Sequence, residues 1–220
     1  MKAAIYHGPG KMTLEDVERP SLDPAGILVE VRASGVCGTD VKTFLRGHRF
    51  FEPPCILGHE FAGVVAEVGS QVKDFAPGDR VAVAPYVPCG FCPMCQGGLF
   101  ELCYKKSGVS GGAFTQYVSV PKEVLERGTV RLPEGMSFAA GAMAEPLACT
   151  LNGLEDCRLK LGDTLLILGA GPMGLLSAQA ALAQGVGKVI VSELNEERLS
   201  KAREIGAIAV NPKRDNLKAV

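Results

Sequence analysis

The stretch Thr164-Leu165-Leu166-Ile167-Leu168-Gly169-Ala170-Gly171-Pro172-Met173-Gly174 decides the fold. Thr164 to Leu168 is a continuous apolar run without polar alternation, which predicts a strand buried on both faces. A Gly-x-Gly-x-x-Gly turn follows at once, then an alanine-rich helical stretch from Leu175 to Ala183. A second strand, Lys188 to Ser192, a helix around Glu196 to Ile205 and a short third strand, Ala207 to Val210, continue the alternation. The β-α-β-α-β order is half of a doubly wound sheet.

Alone, a glycine-rich turn says little. Placed after a buried strand and before a helix, it is the fingerprint of a dinucleotide site. Gly169, Gly171, Pro172, Met173 and Gly174 form the loop in which backbone approaches a pyrophosphate, and the helix N-terminus offers free N–H groups to that anion. Glu193 ends the second strand, about 20 residues on, where an acid accepts hydrogen bonds from the adenosine ribose. A carboxylate there repels a 2′-phosphate, so the expected cofactor is NAD rather than NADP. The bland alternative for Glu193 is a solvated acid at a strand end. Arg198 reads equally as a neighbour of the adenosine or as a helix-surface charge.

Upstream the texture differs. Ile27 to Val31, Gly63 to Val68 and Arg80 to Val83 are short apolar runs bounded by Gly, Pro and Asp turn signals, such as Pro77-Gly78-Asp79. These predict a mostly β domain, a partly open barrel or a sandwich, over residues 1–153, followed by a nucleotide-binding domain over 154–220. With 220 residues, 47% of them hydrophobic, and a net charge of −1, the chain suits one or two globular domains. The charge balance points to no nucleic acid and no membrane surface. The N-terminus lacks a signal-peptide pattern, and no apolar run approaches the roughly 20 residues of a membrane span.

Cys89, Cys92, Cys95 and Cys103 are spaced Cys-x2-Cys-x2-Cys-x7-Cys in a loop rich in Gly and Pro, a lobe of about 86–106. Thiolates so close along a chain can all reach one tetrahedral zinc, and a sphere of four sulfurs is closed to chemistry. The alternatives are a redox Cys-x-x-Cys, a disulfide pair or inert thiols; a redox pair would open a helix after a strand. Thiols kept as metal ligands fit a cytoplasmic location. Cys37, in Gly35-Val36-Cys37-Gly38-Thr39-Asp40, and His59, in Gly58-His59-Glu60, suggest a second zinc held by a cysteine, a histidine and a carboxylate, with a fourth position open. From spacing alone an inert cysteine and a hydrogen-bonded turn histidine serve as well.

Gly58-His59-Glu60-x2-Gly63-x5-Gly69-x2-Val72 resembles the signature of zinc-containing medium-chain alcohol dehydrogenases. The cysteine cluster, Cys37-Gly38-Thr39-Asp40, Glu145-Pro146-Leu147-Ala148 and the nucleotide motif occur in that family's order, and Glu145-Pro146 is closer to the sorbitol and threonine dehydrogenase branch. The resemblance implies a GroES-like, partly open β-barrel catalytic domain followed by an incomplete Rossmann domain. It implies two zincs per chain. Cys37 and His59 would hold the catalytic one, with Glu145 as third ligand and Glu60 able to replace it or support it. Cys55, Cys149 and Cys157 match no ligand position.

The implied reaction is reversible oxidation of an alcohol or polyol by hydride transfer to NAD, zinc acting as Lewis acid and Thr39 taking the alcohol proton. Lys42 stands where the family's relay histidine is usual, so Lys42, His48, or cofactor ribose and water could carry the proton outward. In the family three further strands follow this point. The chain therefore reads as the N-terminal part of a dehydrogenase, with little or no turnover expected from the 220 residues alone and a dimer or tetramer expected of the complete enzyme. Sorbitol-like polyols, butanediol, threonine and simple alcohols all stay open as substrates, and the loop Phe44 to Pro54 is expected at the pocket mouth. The alternative is a non-catalytic zinc-binding scaffold or interaction module derived from such an enzyme.

Overall fold

The structure, a computed structural model, describes residues 1–216. The chain divides into two compact units, residues 1–145 and 146–220, each treated separately below. The first opens with β1 (Lys2–Gly8), β2 (Lys11–Asp16), β3 (Ile27–Ser34), helix α1 (Gly38–Arg46) and β4 (Cys55–Ile56). Next come β5 (Phe61–Val68), β6 (Arg80–Val83), β7 (Tyr86–Val87), the single turn α2 (Pro93–Gln96), β8 (Ser107–Gly108) and β9 (Tyr117–Val120). Helix α3 (Lys122–Gly128), β10 (Thr129–Arg131) and α4 (Phe138–Ala142) complete this unit.

An antiparallel five-stranded sheet, ordered β10-β6-β5-β3-β9, is its frame, with β2-β1-β4 and β7-β8 as smaller sheets. The core holds Ile27, Val29, Phe61, Val65, Val81, Val118 and Val120, β-branched and aromatic residues suited to a pleated surface. Ser34 stands opposite Phe61 in the β3–β5 ladder. The segments that leave β3 and enter β5 therefore emerge at one end of the sheet. They carry Cys37 and the pair His59-Glu60.

The second unit takes most of α5 (Ala144–Asp156), then β11 (Thr164–Leu168), α6 (Pro172–Ala183), β12 (Lys188–Ser192), α7 (Glu196–Glu204) and β13 (Ile208–Val210). Its strands are parallel in the order β11-β12-β13, with Leu168 opposite Ser192. Ala178, Ala181, Val189, Val191 and Ala202 form its core, the small alanines bringing helix close to sheet. Burial on both faces, expected of Thr164–Leu168, is not found. Leu165 and Ile167 pack on the core, whereas Leu166 and Leu168 are 45% and 78% exposed. The reason is topological: among the described residues β11 bonds one neighbour only, β12. Among the described residues no helix is long and apolar enough to cross a membrane.

At Gly63 the backbones of β3 and β5 approach so closely that a Cβ would lie 2.1 Å from the Glu30 carbonyl oxygen. Gly63→Ala should therefore cost about 1–3 kcal/mol by overpacking, read as a lowered thermal midpoint. An unchanged midpoint would show that the β3–β5 crossing relaxes freely.

Candidate active site and metal centres

In the lobe beyond β7 the four sulfurs of Cys89, Cys92, Cys95 and Cys103 converge. Cys92 and Cys95 are 3.5 Å apart at sulfur, and the Cys89–Cys95 and Cys92–Cys103 pairs 3.9 Å. Zn–S bonds of about 2.3 Å imply tetrahedral S···S edges of ~3.8 Å, whereas a disulfide needs about 2.05 Å. The cluster thus fits a tetrahedral ion. Backbone N–H groups point at the sulfurs: Cys89 and Lys105 donate to Cys103 Sγ, and Cys92 donates to Cys89 Sγ. Burial raises the Cys89 thiol, but the amides of Phe91 and Cys92 outweigh it and bring it down to about 6, favouring the thiolate that a metal needs. Burial, reinforced by the neighbouring thiols, pushes Cys95 up to about 12. Four such groups cannot all ionise without a cation among them.

The second constellation is Cys37, His59 and Glu60, whose ligand atoms all lie within 4.8 Å of one another. A thiol, an imidazole and a carboxylate make a donor set suited to zinc with a position left open. Glycines shape it. A Cβ at Gly35 would sit 2.1 Å from Glu60 Oε2, and one at Gly58, where φ is +90°, would sit 2.5 Å from the Phe114 ring. Gly35 N–H also donates to the Glu60 carbonyl at 2.7 Å. Glu145, half-buried in the first turn of α5, is not within that group, though its charge bears on Glu60.

Asp40 is the residue that the sequence reading passed over. Buried to 3% exposure, it accepts the Cys37 N–H at 2.9 Å through Oδ2 and the Gly58 N–H at 3.2 Å through Oδ1. Its Oδ1 also stands 3.7 Å from His59 Nδ1. The available signal was local: Cys37-x-x-Asp40 is the spacing of a capping box at a helix start. A metal-ligating histidine commonly faces such a carboxylate with its other nitrogen. Polar contact with Asp40 raises His59 to about 9 against the opposing effect of burial. Burial pushes Asp40 up, but His59 and the amides of Cys37 and Gly58 pull harder, and it ends below the usual carboxylate range. Burial lifts Glu60 above its ordinary value, with repulsion from Glu145 and Asp40 adding to it and His59 opposing.

Thr39, half-buried in the first turn of α1, donates its N–H to Cys37 Sγ at 3.5 Å. Its neighbour Thr43 uses its hydroxyl on the Thr39 carbonyl at 2.7 Å, so the two threonines have separate tasks. Lys42 and His48 are exposed. Cys55 is half-buried, whereas Cys149 and Cys157 are exposed.

In the second unit Gly169, at φ +101°, turns the chain out of β11, and Gly171 caps α6 with Pro172 in its first turn. A Cβ at Gly174 would lie 2.0 Å from the Gly169 carbonyl oxygen, so only glycine lets the helix start this near the turn. Met173 is 45% exposed beside it. Glu193 accepts the Ala170 N–H at 3.0 Å through Oε2, and the Leu194 and Asn195 N–H groups at 2.7 and 3.0 Å through Oε1. Arg198 Nη1 is 3.7 Å from Glu193 Oε2. The structure thus brings the loop, Glu193 and Arg198 together.

Asp40→Asn keeps the side-chain volume and removes the charge. Zinc added to that variant should bind at Cys37 and His59 about 10–100-fold more weakly, measured by chelator competition, with binding at the cysteine cluster unchanged; equal affinity at both sites before and after the substitution would contradict this role. Glu193 is lowered chiefly by the amides of Asn195, Ala170 and Leu194. Its folded value therefore lies below the unfolded one, about 4.3, and the stability that it contributes is present above that value and lost as pH falls through the folded one. Glu193→Gln should flatten the acid limb of the unfolding profile of the second unit, and parallel profiles would refute the assignment.

The alcohol dehydrogenase GroES-like domain matches residues 23–134, just over half of the chain. A sorbitol dehydrogenase from Bacillus subtilis is 36% identical over 94% of this chain, which spans 60% of that relative's length. A zinc-binding dehydrogenase candidate from Sinorhizobium meliloti 1021, solved bound to NADP, superposes with a TM-score of 0.87 at 37% identity, covering 98% of this chain and 63% of the other. Galactitol-1-phosphate dehydrogenase from Escherichia coli superposes at 0.88 with 29% identity, covering 100% of this chain and 63% of its own. The sheet of the first unit, its two ligand constellations and these likenesses place the chain in the zinc-containing medium-chain alcohol dehydrogenase family, through its GroES-like domain.

Proposed function

We propose that the chain carries the catalytic and adenosine-binding parts of a zinc- and NAD-dependent dehydrogenase that oxidises an alcohol or polyol to a carbonyl, reversibly. The observation that carries this reading is the convergence of Cys37, His59 and Glu60, with Thr39 in the first turn of the helix that Cys37 caps. When bound, zinc supplies Lewis acidity toward the alcohol oxygen, and NAD supplies the hydride acceptor.

Cys37 and His59 hold the metal with a carboxylate, Glu60 being supported by its proximity and Glu145 by family likeness. Asp40 orients the His59 ring. Thr39 Oγ1 accepts the alcohol proton and hands it outward, to Lys42, to His48, or to cofactor ribose and water. Cys89, Cys92, Cys95 and Cys103 hold a second zinc with no part in the reaction. In the second unit the Gly169–Gly174 turn and the start of α6 receive the pyrophosphate, and Arg198 flanks the adenosine. Glu193 retains lone pairs for the ribose hydroxyls after its three backbone bonds. Its negative charge favours NAD over NADP, although a similar protein is solved with NADP. A cytoplasmic homo-oligomer fits the thiolate ligands and the family.

Elemental analysis is expected to find two zincs per chain. Thr39→Val in the zinc-loaded dehydrogenase should lower kcat by about a hundredfold or more with zinc content intact. Wild-type turnover in that variant would remove Thr39 from the mechanism, and a single zinc would favour a scaffold.

A further inference from the structure

Between the acids Asp40 and Glu52 the chain carries Lys42, Arg46, His48 and Arg49 and no carboxylate. This is a marked local excess in a protein whose net charge is −1. Elsewhere the arginines tend to be paired: Arg19 with Glu67, Arg131 with Asp79, Arg198 with Glu193, and Arg214 with Glu196. Among the described residues no carboxylate forms an ion pair with Lys42, Arg46 or Arg49.

Their placement is directed. Thr39, Lys42 and Arg46 fall at i, i+3 and i+7 of α1, one face of the helix. At about 1.5 Å per residue the Cα atoms of Lys42 and Arg46 lie roughly 4.5 and 10 Å along the axis from that of Thr39, and helical side chains lean toward the N-terminus, here toward Thr39. Beyond the helix, the Arg49 guanidinium lies 4.6 Å over the Phe50 ring, and His48 packs 5.4 Å from the same ring and 5.3 Å from that of Phe51. Stacking fixes the plane of a guanidinium and leaves its edge free to fork onto an oxyanion. His48 Nδ1 accepts the Phe50 N–H at 3.3 Å, which holds the loop in this form.

We propose that the substrate of this site is an anionic polyol, with a phosphate or carboxylate several carbons from the reacting hydroxyl, received by Lys42, Arg46 and Arg49. The proposal rests on the polyol dehydrogenase reading above and narrows it from neutral alcohols to charged ones. A lone solvated patch would need no common helical face with the proton acceptor and no stacked arginine at its end.

Titration calorimetry on the zinc-loaded protein, with and without NAD, should use sorbitol, sorbitol 6-phosphate, gluconate and inorganic phosphate. Sorbitol 6-phosphate should bind about tenfold tighter than sorbitol, the worth of one charge-assisted hydrogen bond. That ratio should shrink with added salt and fall to about one in Lys42→Ala/Arg46→Ala/Arg49→Ala, while Arg49→Lys keeps part of it. A gluconate advantage lost in the same variant extends the site to carboxylates; its absence confines the site to phosphate. Equal binding of sorbitol and sorbitol 6-phosphate overturns the proposal and leaves the polyol reading standing. A ratio that survives the triple substitution, or inorganic phosphate displaced from the three cations by NAD alone, overturns it by placing the anion elsewhere or assigning it to the cofactor. Failure of every polyol to bind overturns both.

Discussion

The buried Asp40 carboxylate is the tie on which the candidate catalytic centre depends. One oxygen closes the start of α1 on the Cys37 amide, and the other takes the Gly58 amide and faces the His59 ring. A cysteine at the exit of β3 and a histidine at the entry of β5 are thereby held to a single point. The β3–β5 ladder brings the two segments to the same end of the sheet, but a ladder fixes backbone and not side chains. The acid supplies that last degree of order. Its burial is tolerated because its oxygens are met by two amides and an imidazole.

The two candidate metal centres show opposite solutions to the same chemical demand. In the cysteine lobe all four donors lie in one short loop, and the backbone amides that steady the sulfurs belong to the same loop. Such a centre closes with little cost in chain entropy. Cys37, His59 and Glu60 come instead from two segments far apart in sequence, brought together by the β3–β5 ladder and tied by Asp40. The first centre is therefore local in sequence, whereas the second is assembled by the fold.

This difference also explains what the sequence could and could not disclose. Local spacing made the cysteine cluster legible, and the switch from short punctuated strands to β-α alternation made the two fold classes legible. The Gly169–Gly174 turn was readable because each glycine answers a steric demand. Spacing alone did not link Cys37 with His59; a resemblance to a known family was needed for that. Asp40 escaped notice because an acid in the first turn of a helix is ordinary, and only its contacts with Gly58 and His59 set it apart. Leu166 and Leu168 misled for another reason. An apolar run announces a strand, but it does not state how many neighbours the strand has.

The sulfur spacing in the cysteine lobe would give a metal held there a second task, that of a protecting group. Cys92 and Cys95 are 3.5 Å apart at sulfur, a small movement away from bonding distance. The amides that favour thiolate at Cys89 and Cys103 also favour nucleophilic sulfur. Stripped of metal in air, the lobe is arranged to oxidise to an internal disulfide that no longer offers four ligands. Chelator and oxygen together would then do what neither does alone, so the order in which reductant and metal are restored decides whether the lobe returns.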